Sequence, residues 1–123
     1  MSQNTEPYRQ RVIESWNQRA RAYKALTDEW PIFTSLARRL IATLKLPEDS
    51  SQSIIDLASG SGLVSELLLR QAPAAVIHMA DPAEHMLDLA QRIFGDRVAS
   101  YHLKAGHELA ELNLQVDAIL CNV

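Results

Sequence analysis

A chain of 123 residues, 47% hydrophobic and 22% charged, has the composition of an ordinary folded domain, not of a disordered tail or a fibrous repeat. Its net charge of −3 divides unevenly: residues 1–50 hold 8 Lys and Arg against 6 Asp and Glu, and residues 51–123 hold 4 against 9. That balance is too weak and scattered for a nucleic-acid footprint, and no apolar run approaches the ~18 residues of a membrane span, so neither nucleic acid nor membrane is expected as a partner. The single cysteine, Cys121, excludes an internal disulfide. With a polar opening from Met1 to Gln10 that lacks the apolar core of a secretory signal, it makes a reducing cytoplasm the expected location.

Apolar residues at Tyr8, Val12, Trp16, Ala20 and Tyr23 have the spacing of one helical face, with arginines interleaved as a solvated side. Thr27 to Pro31 interrupts this pattern. A second stripe follows at Ile32, Phe33, Leu36, Ala37, Leu40, Ile41 and Leu44, ending at Leu46-Pro47. Residues 1–50 therefore read as a helical cover, and residues 51–123 as the domain it packs on. Ile54 to Leu57 reads as a buried strand, Ala58 to Gly62 as a tight turn of small residues, and Leu63 to about Gln71 as a helix that Pro73 cannot continue. Ala75 to Ala80 is a second strand. Asp81-Pro-Ala-Glu84 reads as a capped helix start, and Gly95 as that helix's end. Val98 to Leu103 and Val116 to Cys121 complete about four strands, with one helical turn near Glu108 between them. Strands alternating with helices call for an α/β fold with a Rossmann-like parallel sheet, preceded by two helices. Cys121 is expected to pack within that sheet.

In such a sheet, ligands bind beyond the carboxyl ends of the strands. Asp56, the Gly60/Gly62 turn, Asp81, the Lys104–His107 loop and Asn122 all fall there. Glycines at 60 and 62 allow positive φ and close approach of a ligand to the main chain, ahead of a helix N-terminus. Asp81 lies 19 residues beyond Gly62, close to the ~20-residue spacing at which a carboxylate accepts from ribose hydroxyls; capping the next helix is its alternative duty. Asp56 at the end of a buried strand needs a partner, either a cationic ligand group or the N–H groups of its own turn. Trp16, Tyr23 and Trp30 are candidates for a substrate entrance or for cover packing. A nicotinamide-binding unit would want a third glycine where Ser65 stands. The four histidines show no ligand cluster, so no metal is expected.

Asp56-Leu-Ala-Ser-Gly-Ser-Gly62 resembles the acidic-x-Gly-x-Gly-x-Gly signature of class I S-adenosylmethionine-dependent methyltransferases. Arg19-Ala-Arg-Ala-Tyr23 resembles the Ala-x-x-Tyr helix that precedes the fold in small-molecule members. Asp81-Pro-Ala-Glu-His-Met-Leu-Asp-Leu-Ala90 and Val116-Asp-Ala-Ile-Leu-Cys-Asn122 resemble their second and fourth strand regions. The resemblance implies S-adenosyl-L-methionine as cofactor and a small-molecule methyl acceptor. It implies Asp56, Ala58, Gly60 and Gly62 beside the methionine part, Asp81 on the ribose, Pro82 and Met86 flanking the adenine, and Tyr23 on the covering helix. It points to no catalytic residue. Ala58 departs from the usual first glycine, a mild change where φ stays negative. Lys104-Ala-Gly-His107 lacks the usual carboxylate after the third strand, with His107 or Glu108 as substitutes. Members continue with about three more strands beyond the position of Val123. The expectation is therefore an incomplete fold, a cofactor-binding portion inactive alone; the alternative is a complete small protein that binds cofactor without catalysis. The exposed edge of the fourth strand is expected to support self-association.

Overall fold

In a computed structural model that describes residues 5–122, the branched apolar pair Ile54-Ile55 lies at the centre of strand β1 (Ser53–Leu57). β1 is flanked by β2 (Val76–Ala80) and β4 (Ala118–Cys121), and β3 (Ser100–His102) lies outside β2. All pairings are parallel, with Ile55 opposite both His78 and Ile119. The crossovers are helices α3 (Leu63–Gln71) and α4 (Glu84–Phe94), and a 3-10 segment, Gly106–Leu112, precedes β4. The order β3-β2-β1-β4 reverses between β1 and β4, so the switch point lies at the carboxyl ends of those two strands.

Helix α2 (Pro31–Ala42) joins α3 and α4 on one face of the sheet, and this face holds the main core: Ala37, Ile41, Leu68, Ala90 and Phe94 against Ile54, Ile77, Met79 and Leu120. Helix α1 (Glu6–Glu29) lies across α4 and α2, with a small cluster of its own in which Ala20 meets Ala83 and Met86 beside Ile13 and Tyr23. The parallel α/β sheet with two leading helices is the architecture expected from the sequence.

Several local expectations are corrected. Helix α1 continues through Thr27, which is buried with its hydroxyl donating to the Lys24 carbonyl at 3.0 Å. The break falls at Trp30, extended ahead of Pro31. The inward stripe of α1 is Ile13, Ala20, Tyr23 and Thr27, while Tyr8, Val12 and Trp16 lie exposed. Small residues let α1 approach α4 closely, and that closeness selects the inward side. In α2 the stripe narrows to Phe33, Ala37, Leu40, Ile41 and Leu44, leaving Ile32 and Leu36 exposed. Cys121 is exposed, because β4 is an edge strand and Cys121 alternates onto the sheet face opposite Leu120. β3 and β4 each pair over a shorter span than the apolar runs that mark them.

Candidate functional site

The turn after β1 is built from left-handed backbone. Ala58 has φ +53°, Gly60 +55° and Gly62 +100°. The condition under which Ala58 would be a mild change is thus not met: an alanine holds a conformation that costs a residue with a Cβ roughly 1–2 kcal/mol. Three hydrogen bonds fasten the turn. Ser59 N donates to the Ala80 carbonyl at 3.2 Å, Gly62 N to the Ser59 carbonyl at 3.0 Å, and Gly60 N to Asp81 Oδ2 at 2.9 Å. At Gly62 a Cβ would meet Phe94 and Met79 side-chain carbons at 2.4–2.9 Å, so this glycine is needed for packing of the helix start against the core. At Gly60 the nearest neighbour of such a Cβ is Tyr23 at 3.8 Å, which leaves the main chain open on that side. Ser59 Oγ is buried with no hydrogen-bond partner among the described residues.

Asp81 bridges two loops. Its Oδ2 holds Gly60 N, and its Oδ1 accepts from Ala83 N at 2.8 Å. Burial pushes its carboxyl above the usual range, and these two backbone donors oppose that rise. The expected capping box at Asp81 and Glu84 is absent, since α4 begins at Glu84 with Ala83 as its N-terminal flank. The cap comes instead from α1: Asn17 Oδ1 accepts from His85 N at 2.9 Å, and Asn17 O lies 3.2 Å from His85 Nδ1.

Asp56 is 1% exposed and lies behind the turn. Its Oδ2 accepts from Ser65 Oγ at 2.6 Å, so its partner is a hydroxyl in the first turn of α3. Burial pushes its carboxyl up to about 7; the Ser65 hydrogen bonds oppose the shift, and the Asp81 charge adds to it.

A cavity of about 280 Å³ opens at the strand ends. Of the residues singled out in the sequence, Tyr23, Ala58, Gly60, Asp81, Pro82 and Met86 line it, with Trp16 and Asn122. Asp56 and Gly62 stand behind its wall, and Trp30 lies elsewhere on the surface. Ala105, from the Lys104–His107 loop expected at the strand ends, lines it as well, and Arg9, Val12, Ile13 and Ala83 do so without having been picked out as site residues. Ile13 and Arg9 share a helical side, a signal masked by the stronger Tyr8–Val12–Trp16 stripe. Glu108 is tied into its own loop, accepting from Ala105 N at 3.0 Å, with Arg9 3.8 Å away; His107 is exposed. On the opposite sheet face, Ser100 Oγ lies between His78 Nδ1 at 2.5 Å and His102 Nε2 at 2.7 Å. Among the described residues no three His, Cys, Asp or Glu side chains converge as metal ligands, and no helix is long and apolar enough to cross a membrane.

A glycine turn at the switch point, a carboxylate fixed to it at the end of β2 and an apolar cavity between them belong to a Rossmann-like α/β fold. The family model of the methyltransferase small domain matches residues 36–123, and the chain belongs to that family. No curated protein sequence matches the chain significantly. Among solved structures, it is similar to phosphoethanolamine N-methyltransferase 1 of Haemonchus contortus, in complex with phosphoethanolamine and S-adenosylhomocysteine, at 17% identity and a TM-score of 0.63 over 98% of this chain and 26% of that one. It is similar to DesVI of Streptomyces venezuelae at 16% identity and a TM-score of 0.62, covering 85% and 42%. A putative RNA methyltransferase of Pyrococcus horikoshii follows at 19% identity and a TM-score of 0.54, covering 72% and 44%. The chain thus spans between about a quarter and under half the length of these structures.

Proposed function

We propose that the chain binds S-adenosyl-L-methionine in the switch-point cavity and forms the cofactor-binding portion of a methyltransferase acting on a small molecule. The observation that carries this reading is Asp81, held by Gly60 N and Ala83 N on the wall of an apolar cavity between Pro82 and Met86. Each carboxylate oxygen has one backbone donor and retains a lone pair for a ribose hydroxyl. Pro82 and Met86 supply apolar surface for an adenine ring. Ala58 and the open side of Gly60 border the methionine part, where the unpartnered Ser59 hydroxyl leaves one hydrogen-bonding group of the turn unused. Tyr23 closes the cavity from α1. Asp56 and Gly62 act from behind. Asp56 anchors the turn through Ser65; Gly62 sets the α3 start against the core.

The bound cofactor supplies an activated methyl group, and the protein's task is to orient the acceptor in line with it and exclude water. Residues 1–50 serve as the cover and residues 51–123 as the cofactor unit, in a reducing cytoplasm. The similarity to a phosphoethanolamine enzyme supports a small acceptor. The free edge of β4 supports self-association.

The test is calorimetric titration with S-adenosylhomocysteine of the parent chain and its Asp81→Asn variant, both checked for folding by circular dichroism. Saturable binding that weakens about tenfold or more in the variant is expected, the order of one charge-assisted hydrogen bond. A folded parent chain that gives no saturable heat, or one that enhances NADH fluorescence instead, would overturn the reading.

A further inference from the structure

The outer side of α1 carries a row that no described element covers. Tyr8 is 66% exposed and Trp16 42%, and with Arg11, Val12, Ser15 and Arg19 they line a surface groove of about 330 Å³. No carboxylate lines this groove, and neither Arg11 nor Arg19 makes an ion pair among the described residues. Val12 and Trp16 line the switch-point cavity as well, so the groove continues that cavity's mouth around the helix.

We propose that this stripe is the acceptor-docking surface, and that the acceptor is a planar aromatic ring bearing a carboxylate or phosphate. The inference rests on the methyltransferase reading of the adjoining cavity and adds the chemical class of its acceptor. Exposed Trp and Tyr at the mouth of a cavity offer flat apolar faces at low entropic cost. Arg11 stands three residues from Tyr8 and Arg19 three from Trp16, the spacing at which helical neighbours meet. Each pair thus presents a ring face beside a guanidinium that is free to take an anion. Two guanidinium groups in a groove with no carboxylate among its lining residues give the stripe a positive sign. Arg9, inside the cavity, faces Glu6 and Glu108, which leaves anion recognition to Arg11 and Arg19. The groove is lined by six residues of one helix, a footprint far below the surface a stable protein partner needs. The row spans eight residues of helix, about 12 Å, enough for one substituted ring system to lie along it with its reactive end at Trp16.

The test uses a Trp30→Phe background, which leaves Trp16 as the lone indole of a chain with two tryptophans, and follows its Nε1–H signal by NMR. The probes are 4-hydroxybenzoate, cyclohexanecarboxylate (charge without an aromatic ring) and benzyl alcohol (ring without charge). The expected result is a saturable shift with 4-hydroxybenzoate and affinities about fivefold or more lower for the other two, the scale of one exposed cation–π or ionic contact. A double Arg11→Gln/Arg19→Gln variant is expected to lose the 4-hydroxybenzoate shift and to keep the parent's calorimetric affinity for S-adenosylhomocysteine. Absence of a saturable shift, equal response to cyclohexanecarboxylate, or indifference to the arginine substitutions would overturn the proposal. So would a Trp16 signal that moves with protein concentration alone, or tighter binding of a single-stranded RNA oligomer. Any of these with cofactor binding intact sinks the acceptor class only, whereas loss of S-adenosylhomocysteine binding by the parent chain sinks the cavity's function.

Discussion

The two faces of one sheet have opposite fates. On the face packed by α2, α3 and α4, Ile54, Ile77 and Met79 are fully buried and Leu120 nearly so. On the other face, Val76, Ile119 and Cys121 are exposed and the His78–Ser100–His102 group is only partly covered. Parallel sheets are ordinarily covered on both faces; here the second, largely bare face buries only Ile55 and Ala80, while the packed face, Asp56 included, carries most of the core. The candidate site sits at neither face but along the strand ends, fastened to the packed side through Gly62 and Asp56 and closed from above by α1. Its geometry therefore depends on one face and is insulated from the other.

The most direct way to break that contrast is a pair of substitutions in the two strands that flank β1. Ile77→Ala on the packed face is expected to cost about 2–5 kcal/mol, the range for deleting a large buried aliphatic group and leaving a cavity. Ile119→Ser on the bare face is expected to stay within about 0.5 kcal/mol, as for an ordinary surface change. Urea unfolding of both variants measures the difference. Comparable losses would mean that Ile119 is covered in solution, as self-association through β4 requires, and the Ile119 effect would then grow with protein concentration.

A second way is pH, because the two faces titrate with opposite signs. Burial raises the Asp56 carboxyl to about 7 in the folded chain, so between roughly pH 4 and 7 the folded state holds a proton that the unfolded state has released. That contribution to stability is largest at the acid end and is lost as pH rises through 7. His78 and His102 are shifted down, each first by burial, then His78 by His102 and His102 by Lys104. Their contribution is present above the unfolded histidine value near 6.5 and is lost as pH falls below it. Thermal melts of Asp56→Asn are expected to keep the acid-side loss and drop the alkaline-side one. His78→Asn is expected to do the reverse. Melting curves whose pH dependence is the same in both variants would refute the assignment.

Much of this architecture is written in local pattern. The branched pair Ile54-Ile55, the four small residues before Gly62 and the breakers Pro73 and Gly95 mark β1, the turn and the ends of α3 and α4 by mechanisms that act within a few residues. What escaped the sequence acts at a distance. Helix α1 presents the stripe Tyr8, Val12, Trp16, Ala20 and Tyr23 to a reading by hydrophobicity, and only its C-terminal members turn inward. The real contact uses Ala20 and Thr27 because closeness to α4, not side-chain size, decides it. Asn17 caps a helix 68 residues away, and no local rule exposes such a pairing. Asp81 has the composition of an N-cap, yet it spends its oxygens on Gly60 and Ala83 because the chain stays extended at Ala83. Asp56 was legible as a buried carboxylate in need of a partner; that the partner is Ser65 became visible only once α3 was placed. Cys121 was misread for the same reason, since alternation in a strand does not say which face lacks a helix.

The smallest expected effect tests the turn itself, where packed core and open cavity meet. Ala58 holds φ +53°, for which a Cβ costs roughly 1–2 kcal/mol. Replacing it by glycine removes that cost but adds about 0.4–1 kcal/mol of backbone entropy to the unfolded chain. The net expectation for Ala58→Gly is a stabilisation of about 0.5–1 kcal/mol, read as a rise in urea midpoint with unchanged slope. A destabilised variant would show that the Ala58 methyl, at the cavity wall, contributes contacts worth more than the strain. Ala58 would then have to be counted among the residues that shape the cavity, and the turn's left-handed backbone would be held by packing on its open side as well as by Asp81.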